Sequence, residues 1–264
     1  MSPFPCSLKG DEAVSRGSRE GALIEKSLHG RVAVVTGASR GIGRAIALQL
    51  AADGASVGLV GRDAQALQEV ANLSSPTATA AAPYGIDLTR DGEIQELVSR
   101  VTQDFGRVDI LVHSAGIMSL GPISQAPVDE LDSQYQANVR APYLLTQALL
   151  PMLTASQGEV VFINSSIVFT NRAEVGQYAA TKYALQALAD SLRGEVNALG
   201  IRVLSVYPGQ TNTPRQEAKY ARMGAPFHPD RFIQPEDVAA VVLNALRLPR
   251  TAEVTDIRMR PFRK

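Results

Sequence analysis

The sequence predicts an α/β fold: a doubly wound parallel sheet with helices on both faces. Short β-branched runs alternate with longer segments in which apolar residues recur at helical spacing, from Leu28 to the end of the chain. The strand-like runs are apolar throughout, which is typical of strands buried on both faces. No linker-like stretch interrupts residues 28–264, so we expect one domain there.

The elements follow one another in a regular order. The first strand-like run, RVAVVT, precedes a helical segment in which Ile42, Ala45 and Ile46 share one face. The later strand-like runs are also rich in β-branched residues, and each except the last precedes a segment long enough for a helix. We predict strands at 31–36, 56–60, 83–86, 110–114, 160–164, 202–207 and 253–258. We predict helices at 41–53, 64–73, 92–105, 128–153, 177–199 and 236–246.

The composition excludes several classes of partner. The 264 residues include 26 basic and 26 acidic side chains, so the net charge is zero. That balance gives no general attraction to nucleic acid or to an anionic membrane. The single cysteine, Cys6, cannot form an internal disulfide, and no apolar run approaches the ~18 residues of a membrane span. We therefore expect a cytoplasmic protein without nucleic-acid, membrane or metal partners.

Residues 1–27 differ from the rest of the chain. They carry four basic and four acidic side chains and lack the apolar core of a secretory signal. The equal number of acids also argues against a transit peptide. We expect a flexible, solvated extension with a short helix near residues 20–27.

A glycine-rich turn, TGASRGIG at 36–43, joins the first predicted strand to the first predicted helix. Gly37 permits a tight turn, Gly41 lets a pyrophosphate approach the backbone, and Gly43 lets the helix pack close to the strand. The N–H groups at the helix start favour a phosphate. We predict a dinucleotide site here; its other members are Ser39, Arg40 and Ile42. The alternative is a tight strand–helix connection that binds no ligand.

The end of the second predicted strand favours NADP(H) over NAD(H). An acidic residue about 20 residues after the glycine turn would bind the ribose 2′-hydroxyl of NAD, but this chain has Gly61-Arg62-Asp63 there. A guanidinium suits a 2′-phosphate through its charge and fork geometry, and Arg40 can reach the same group. In the alternative interpretation Arg62 is a solvated loop charge and Asp63 caps the next helix.

Tyr178 and Lys182 are four residues apart in a predicted helix and therefore share one face. Ser165 ends a predicted strand thirteen residues before the tyrosine. With these residues and the glycine turn, the chain resembles the short-chain dehydrogenase/reductases from about Leu28 to its C-terminus. The resemblance implies a Rossmann-like fold with a seven-stranded sheet. It also implies a homodimer or homotetramer that pairs through the two long predicted helices.

These residues suggest a chemistry. A tyrosine hydroxyl ionises near 10, and Lys182 at ~5 Å would favour the phenolate by about 3 kcal/mol, lowering the pKa of Tyr178 by about two units. Tyr178 then donates a proton to a carbonyl oxygen as hydride arrives at carbon, and Ser165 hydrogen-bonds that oxygen. The resemblance implies that Lys182 also binds the nicotinamide ribose and that Asn138 positions a proton-relaying water. For Tyr178 taken alone, a packing tyrosine is the alternative.

The resemblance assigns further cofactor contacts to three turns, each after a predicted strand. The residues are Asp87, Leu88, Ser114, Ala115, Gly116, Pro208, Gly209, Thr211 and Thr213. The first turn would contact the adenine, the second allows close backbone approach, and the third holds the carboxamide. For Asp87 the alternative is a cap of the next helix.

One position departs from the family pattern. The family usually has Asn-Asn-Ala-Gly after the fourth strand, where this chain has His113-Ser114-Ala115-Gly116. We interpret His113 as a structural replacement for an amide that ties neighbouring strands. A second acid–base group is the alternative.

We expect substrate specificity in residues 117–125, 167–176 and 214–233. The last segment combines apolar and charged residues, so it could form a lid over a medium-sized carbonyl compound, with a base meeting a substrate carboxylate. Its members are Arg215, Glu217, Lys219, Tyr220, Arg222, Met223, Phe227 and Phe232. The alternative is an amphipathic helix packed on the body of the protein.

Together these features predict an NADPH-dependent oxidoreductase that reduces a ketone or aldehyde to an alcohol. The C-terminal segment at 254–261 resembles the ending of NADP-dependent reductases that act on hydroxy acids, aldehydes and small ketones. It lacks the glycine-rich ending of typical β-ketoacyl thioester reductases, so that activity is the first alternative. A non-catalytic NADP(H)-binding regulator is the second.

Overall fold

The computed structural model describes residues 28–170 and 172–262, so the predicted extension at 1–27 and its helix lie outside the described residues. The strands are β1 (Val32–Thr36), β2 (Ser56–Gly61), β3 (Ala81–Gly85), β4 (Ile110–His113), β5 (Glu159–Ile163), β6 (Arg202–Pro208) and β7 (Asp256–Met259). They form a seven-stranded sheet in the order β3-β2-β1-β4-β5-β6-β7, and every pair is parallel. This confirms the predicted Rossmann-like doubly wound fold.

Helices cover both faces of the sheet. They are α1 (Gly41–Ala52), α2 (Ala64–Ser74), α3 (Asp91–Phe105), α4 (Val128–Tyr135), α5 (Ala141–Ser156), α6 (Gly176–Val196), α7 (Pro214–Arg222) and α8 (Pro235–Leu246). On one face α1, α2 and α8 bury apolar side chains such as Leu50 and Val242. On the other face α3, α5 and α6 bury side chains such as Leu97 and Leu149.

Strand β1 explains why the strand-like runs are apolar at every position. Ala33 and Val35 belong to one core, whereas Val34 belongs to the other, because successive side chains of a strand point to opposite faces. All five residues of β1 are buried. The strand therefore holds two helix layers together and leaves only its ends for function.

The sheet order places a crevice beside β1. The chain leaves β1 towards β2 and β3 on one side, and then returns to pair β4 on the other side. Ligands of open α/β sheets bind outside the carboxyl ends of the strands at such a reversal. The loops after β1 and β4 are therefore the first place to look for a site.

Several predicted elements differ from the structure by a few residues at their ends, and helix α7 was not predicted; two differences have a clear physical cause. The predicted helix at 128–153 is divided into α4 and α5 by a π-helical turn, Gln136–Arg140. Such a turn needs no glycine or proline, so apolar spacing does not reveal it. The last strand begins at Asp256 and not at residue 253, because the Glu253 side chain accepts a hydrogen bond from the N–H of Val203 at 2.8 Å.

His113 lies at the end of β4 and is buried. Its Nε2 is 2.8 Å from the Thr146 hydroxyl, and its ring stacks on Phe162 with 4.9 Å between the ring centres. Burial lowers the pKa of His113 to about 3. The imidazole is therefore neutral near pH 7 and enclosed by protein, which supports the structural interpretation over a second acid–base group.

We expect the replacement His113→Asn to reduce the acid sensitivity of the fold. The pKa of His113 is 6.5 ordinarily and about 3 in the fold. Between these pH values His113 binds a proton in the unfolded state but not in the folded state. Stability is then lost as the pH falls through this window, by at most about 1.4 kcal/mol per pH unit. Urea unfolding at about pH 6.5, 5.5 and 4.5 should show a shallower decline for the variant. Identical declines would contradict a buried, neutral His113.

Candidate active site

Several of the predicted site residues follow four strands that are neighbours in the sheet. The glycine turn follows β1, Ser114 follows β4, Ser165 lies two residues beyond β5, and Gly209 follows β6. Because the strands are parallel, their carboxyl ends meet at one edge. The fold thus brings the predicted cofactor and catalytic residues to the same edge of the sheet.

The hydroxyl of Thr36 joins the turns after β1 and β4. It donates to the carbonyl of Val112 at 3.2 Å and accepts from the N–H groups of Ser114 and Ala115 at 3.0 and 3.1 Å. Thr36 is buried, so these bonds are shielded from water. It was not predicted as a site residue; the signal that marks it is a polar residue at the end of an apolar strand.

Two glycines of the turn have no room for a side chain. A Cβ on Gly37 would lie 2.8 Å from the backbone nitrogen of Ala115, and one on Gly43 would lie 2.3 Å from the carbonyl oxygen of Gly37. Gly41 has a φ of +58°, and its Cβ would lie 3.2 Å from the methyl group of Thr213. The turn is therefore as tight as predicted, and it also approaches the loop after β6.

The start of α1 fits a phosphate group. Its N-cap residue, Arg40, makes no side-chain cap hydrogen bond, and the first turn contains no acidic residue. By contrast, α2 is capped by Asp63 and α7 by Thr213. The first N–H groups of α1 are thus without a side-chain acceptor at the carboxyl edge of the sheet, which suits the pyrophosphate of a dinucleotide.

Arg40 and Arg62 are exposed at the ends of β1 and β2. In the described part of the chain, neither lies within ion-pair distance of a carboxylate. Asp63 accepts from the N–H of Ala66 at 3.1 Å and caps α2, which confirms that alternative for Asp63. The carboxylate that follows β2 is thus engaged by a helix, while two guanidinium groups face solvent.

Asp87 lies in the turn after β3. Its Oδ1 accepts from the N–H and the hydroxyl of Thr89 at 3.1 and 2.8 Å. Helix α3 begins only at Asp91 and has Arg90 as its N-cap. The alternative that Asp87 caps this helix is therefore wrong, because its carboxylate closes an Asx turn four residues earlier. The adenine contact of Asp87 and Leu88 stays a prediction.

Asn138 is buried in the π-helical turn, and its amide binds protein atoms. The Oδ1 atom accepts from the N–H of Ile117 at 2.8 Å. The Nδ2 atom donates to the carbonyl of Ile117 at 2.9 Å and to the Thr181 hydroxyl at 3.0 Å. Asn138 thus ties the loop after β4 to α6, and its water-positioning role stays a prediction.

Ser165, Tyr178 and Lys182 converge where β5 ends and α6 begins. The Ser165 hydroxyl accepts from the N–H of Ile167 at 3.2 Å, and it is close enough to the half-buried phenol of Tyr178 to favour its ionised form and so to lower its pKa. Lys182 is buried. Its Nζ donates to the carbonyl of Ile163 at 3.1 Å and lies 5.9 Å from the centre of the Tyr178 ring.

The electrostatics of this group differ from the expectation. Burial raises the pKa of Tyr178, and the lowering effects of Arg215 and of the Ser165 hydrogen bond do not offset it. Burial, followed by the charge of Arg215, lowers the pKa of Lys182 to about 7. The expectation that Lys182 lowers the pKa of Tyr178 is wrong, because both groups are desolvated and the lysine is only partly charged near neutral pH.

Two other buried amides, which the sequence did not predict, hold backbone groups at or near the site. Asn164 donates through Nδ2 to the carbonyl of Lys182 at 3.2 Å and accepts from the N–H of Ser165 at 2.9 Å. Gln134 accepts from the N–H of Ser119 at 3.0 Å. In the sequence, Asn164 is marked only as a polar residue directly after an apolar strand, and nothing marks Gln134, although it is the one buried residue of α4.

The turn after β6 is held in place from β7 and from the segment before α8. Pro208 ends β6, and the N–H of Gly209 donates to the carbonyl of Met259 at 2.9 Å. Thr211 forms an isolated bridge to the segment before α8, and Thr213 caps α7. The contacts of this turn with the carboxamide of the nicotinamide stay a prediction.

The predicted substrate segment at 214–233 forms α7 and the loop after it. No residue of helix α7 is fully buried, but Gln216, Lys219 and Tyr220 are partly buried on one face, so the alternative of an amphipathic helix on the body stays open. Tyr220 packs against Phe227 and Phe232, with 5.7 and 5.5 Å between ring centres. Arg215 donates to the carbonyl of Gly116. The segment therefore touches the loop after β4, as the lid interpretation requires.

Among the helices of residues 28–170 and 172–262, none combines the length and apolar character needed to cross a bilayer. In that part of the chain, no three His, Cys, Asp or Glu side chains are grouped as potential metal ligands.

Known proteins are similar to this chain in sequence and in fold. The family model of the short chain dehydrogenases matches residues 31–224. An uncharacterized oxidoreductase of Staphylococcus aureus (strain USA300) is 37% identical over 234 residues, which are 88% of this chain and 97% of that protein. A metagenomic short-chain oxidoreductase, solved in complex with NADP, is 32% identical with a TM-score of 0.78, covering 90% of this chain and all of that one. The 3-ketoacyl-(acyl-carrier-protein) reductase of Brucella melitensis, complexed with NADH, is 26% identical with a TM-score of 0.78, covering 88% and 97%.

We expect the replacement Lys182→Met to remove a pH-dependent penalty on folding. The pKa of Lys182 is 10.5 ordinarily and about 7 in the fold, so the unfolded state binds more protons between these values and stability rises with pH. The penalty is complete below the folded pKa and absent above the ordinary one. Between about pH 7 and 9, the unfolding free energy of the wild type should rise relative to the variant by up to about 1.4 kcal/mol per pH unit. If urea unfolding shows a difference in unfolding free energy between the wild type and the variant that does not change with pH, a buried lysine with a lowered pKa is contradicted.

Proposed function

The chain belongs to the short-chain dehydrogenase/reductase family, and we propose that it is an NADPH-dependent oxidoreductase that reduces a ketone or aldehyde to an alcohol. The observation that carries this proposal is the convergence of Ser165, Tyr178 and Lys182 at the same edge of the sheet as the uncapped start of α1. The three side chains provide a proton donor and hydrogen bonds for a carbonyl oxygen. The helix start suits the phosphates of a dinucleotide.

Tyr178, Ser165 and Lys182 have different roles in the proposed reduction. NADPH, when bound, supplies the hydride for the carbonyl carbon. Tyr178 donates a proton to the carbonyl oxygen, and its raised pKa keeps the phenol protonated at neutral pH, as reduction requires. Ser165, held by the N–H of Ile167, hydrogen-bonds the same oxygen as negative charge develops there. Lys182, with a pKa of about 7, is suited to replace the proton through the water assigned to Asn138.

The arginines support NADPH as the cofactor. Arg40 and Arg62 are exposed at the end of β1 and β2, and the neighbouring carboxylate of Asp63 already caps α2. A 2′-phosphate accepts charge-assisted, bidentate bonds from guanidinium groups, whereas NADH offers only a hydroxyl. In this proposal the remaining cofactor contacts come from the turns after β3, β4 and β6.

We also propose that the chain pairs through α4, α5 and α6 into a homodimer or homotetramer. Tyr135, Tyr143 and Tyr183 on these helices are 52%, 52% and 43% exposed. Large aromatic side chains with a polar tip are typical of protein interfaces. The cytoplasmic location stays a prediction from the sequence.

We expect Tyr178→Phe to lower the rate of NADPH-dependent reduction by roughly 10²- to 10⁴-fold, because the proton donor is lost. NADPH binding should stay within about threefold of the wild type, since the phenol hydroxyl is one contact among many. Initial rates with aldehydes, α-diketones, keto esters and β-ketoacyl thioesters, and a fluorescence titration with NADPH, check both statements.

The same panel separates the alternatives. A clear preference for β-ketoacyl thioesters would select that activity. A wild-type protein that binds NADPH tightly but turns over none of these compounds would favour a regulator. A Tyr178→Phe variant as active as the wild type would contradict the proposed proton donor.

We expect Arg40→Ala and Arg62→Ala each to weaken NADPH binding by about tenfold or more, because each removes a charge-assisted bond to the 2′-phosphate. NADH binding should change little, since NADH lacks that group. Arg250→Ala, which removes an exposed arginine close to Glu159 at the amino end of β5, on the opposite edge of the sheet, is the control. Titration calorimetry with both cofactors measures the ratio. Equal losses for NADPH and NADH would contradict the assignment of the two arginines.

A further inference from the structure

Arg215, in the first turn of α7, reaches across to the loop after β4. Its guanidinium donates to the backbone carbonyl of Gly116. A Cβ on Gly116 would lie 2.8 Å from the Oδ1 of Asn138, and Asn138 in turn binds Thr181 on α6 at 3.0 Å. The Thr181 hydroxyl donates to the carbonyl of Tyr178 at 2.8 Å. The guanidinium is thus fixed at the rim of the site that contains the proton donor.

The charge of Arg215 acts on the catalytic residues themselves. After burial, it is the main influence on the pKa of both Tyr178 and Lys182, and it lowers both. A positive charge that acts on both groups is close enough to the phenol to attract a negative group on a bound substrate. Its counterpart on a substrate would be a negative group near that carbonyl.

Lys219 adds a second positive charge on the same side of α7. It lies one helical turn after Arg215 on the same face of the helix. Burial lowers the pKa of Lys219, and the charge of Arg172, from the segment before α6, lowers it further. Glu217 is two residues from Arg215 and therefore points to another side of the helix. The face of α7 that carries Arg215 is consequently positive.

The protein partner of Arg215 is a poor match for its charge. The side chain is exposed, and among the described residues no carboxylate lies within ion-pair distance of it. The carbonyl of Gly116 is a single neutral acceptor, whereas a carboxylate accepts two parallel bonds from a guanidinium and carries a full negative charge. A carboxylate ligand can therefore take the place of that carbonyl.

We propose that Arg215 binds a carboxylate of the substrate, so that the preferred substrates are oxo acids with the carboxylate a few bonds from the reacting carbonyl. The inference rests on the proposed reductase function and names the substrate class for it. Arg215 then determines specificity, while Ser165 and Tyr178 serve any carbonyl compound. The bound carboxylate also compensates the positive charge at the rim.

The test compares each oxo acid with its uncharged methyl ester, using NADPH as the reductant. Three pairs vary the distance between the charge and the carbonyl: pyruvate and methyl pyruvate, acetoacetate and methyl acetoacetate, levulinate and methyl levulinate. Arg215→Met removes the charge and keeps an unbranched side chain, and Arg215→Lys keeps the charge without the fork. Arg222→Met is the matched control, because it removes a positive charge from the far end of the same helix.

We expect the wild type to reduce at least one acid with a higher kcat/KM than its ester. Arg215→Met should lower kcat/KM for that acid by about tenfold to hundredfold while lowering that for the ester far less, and Arg215→Lys should fall between the two. Arg222→Met should leave the acid-to-ester ratio unchanged. The change in the ratio identifies recognition, since a variant that merely disturbs α7 would lower both rates together.

The other outcomes overturn the inference and show whether the proposed function falls with it. If the wild type reduces esters or other neutral carbonyl compounds and Arg215→Met leaves the acid-to-ester ratio unchanged, the reductase function stands and the role of Arg215 is refuted. An equal loss for acid and ester also refutes recognition. If none of the carbonyl compounds supports NADPH oxidation by the wild type, the proposed function and this inference fail together.

Discussion

The site depends on the hydrogen bonds of one hydroxyl, that of Thr36. Strands β1 and β4 are neighbours in the sheet although two further strands and three helices separate them in the chain. Their following turns diverge to opposite faces, which opens the crevice but also removes the backbone pairing that would hold it. Thr36 replaces that pairing with three bonds, to Val112, Ser114 and Ala115. Gly37 then lies so close to Ala115 that no side chain fits.

From this point a continuous set of contacts reaches the catalytic residues. The loop after β4 rests on Asn138, whose amide holds both backbone groups of Ile117 and the hydroxyl of Thr181. Thr181 is one turn from Tyr178 and binds its carbonyl at 2.8 Å. Lys182 is bound at its carbonyl by Asn164 and at its Nζ by the end of β5. The polar groups that orient the site are therefore buried and satisfied mainly by backbone, which is how a rigid arrangement is kept between elements from both halves of the sheet.

The sequence predicts what depends on periodicity and on local steric demands. Runs that are apolar at every position identify strands buried on both faces, and the glycines of the first turn identify close backbone contact. Both the fold and the edge of the sheet proposed to bind the dinucleotide can therefore be predicted from the sequence. It does not predict what depends on three-dimensional burial. The π-helical turn around Asn138 has no residue signature. The pKa of Tyr178 moves up because desolvation exceeds the lowering effects of Arg215 and Ser165. The pKa of Lys182 moves down because that side chain is buried too, and neither degree of burial can be read from a Tyr-x-x-x-Lys spacing. The contact of Arg215 with Gly116 likewise joins segments far apart in the chain.

A crystal structure of the protein with NADP⁺ would show whether this edge of the sheet binds the cofactor. We predict the pyrophosphate at the N-terminus of α1, the 2′-phosphate between Arg40 and Arg62, and the nicotinamide ring beside Tyr178 and Lys182. In that structure Thr36 and Asn138 should keep their present partners, because they define the crevice before the cofactor enters. Density for the dinucleotide elsewhere, or a 2′-phosphate that contacts neither arginine, would contradict the central claim that this edge is a preformed NADP(H) site.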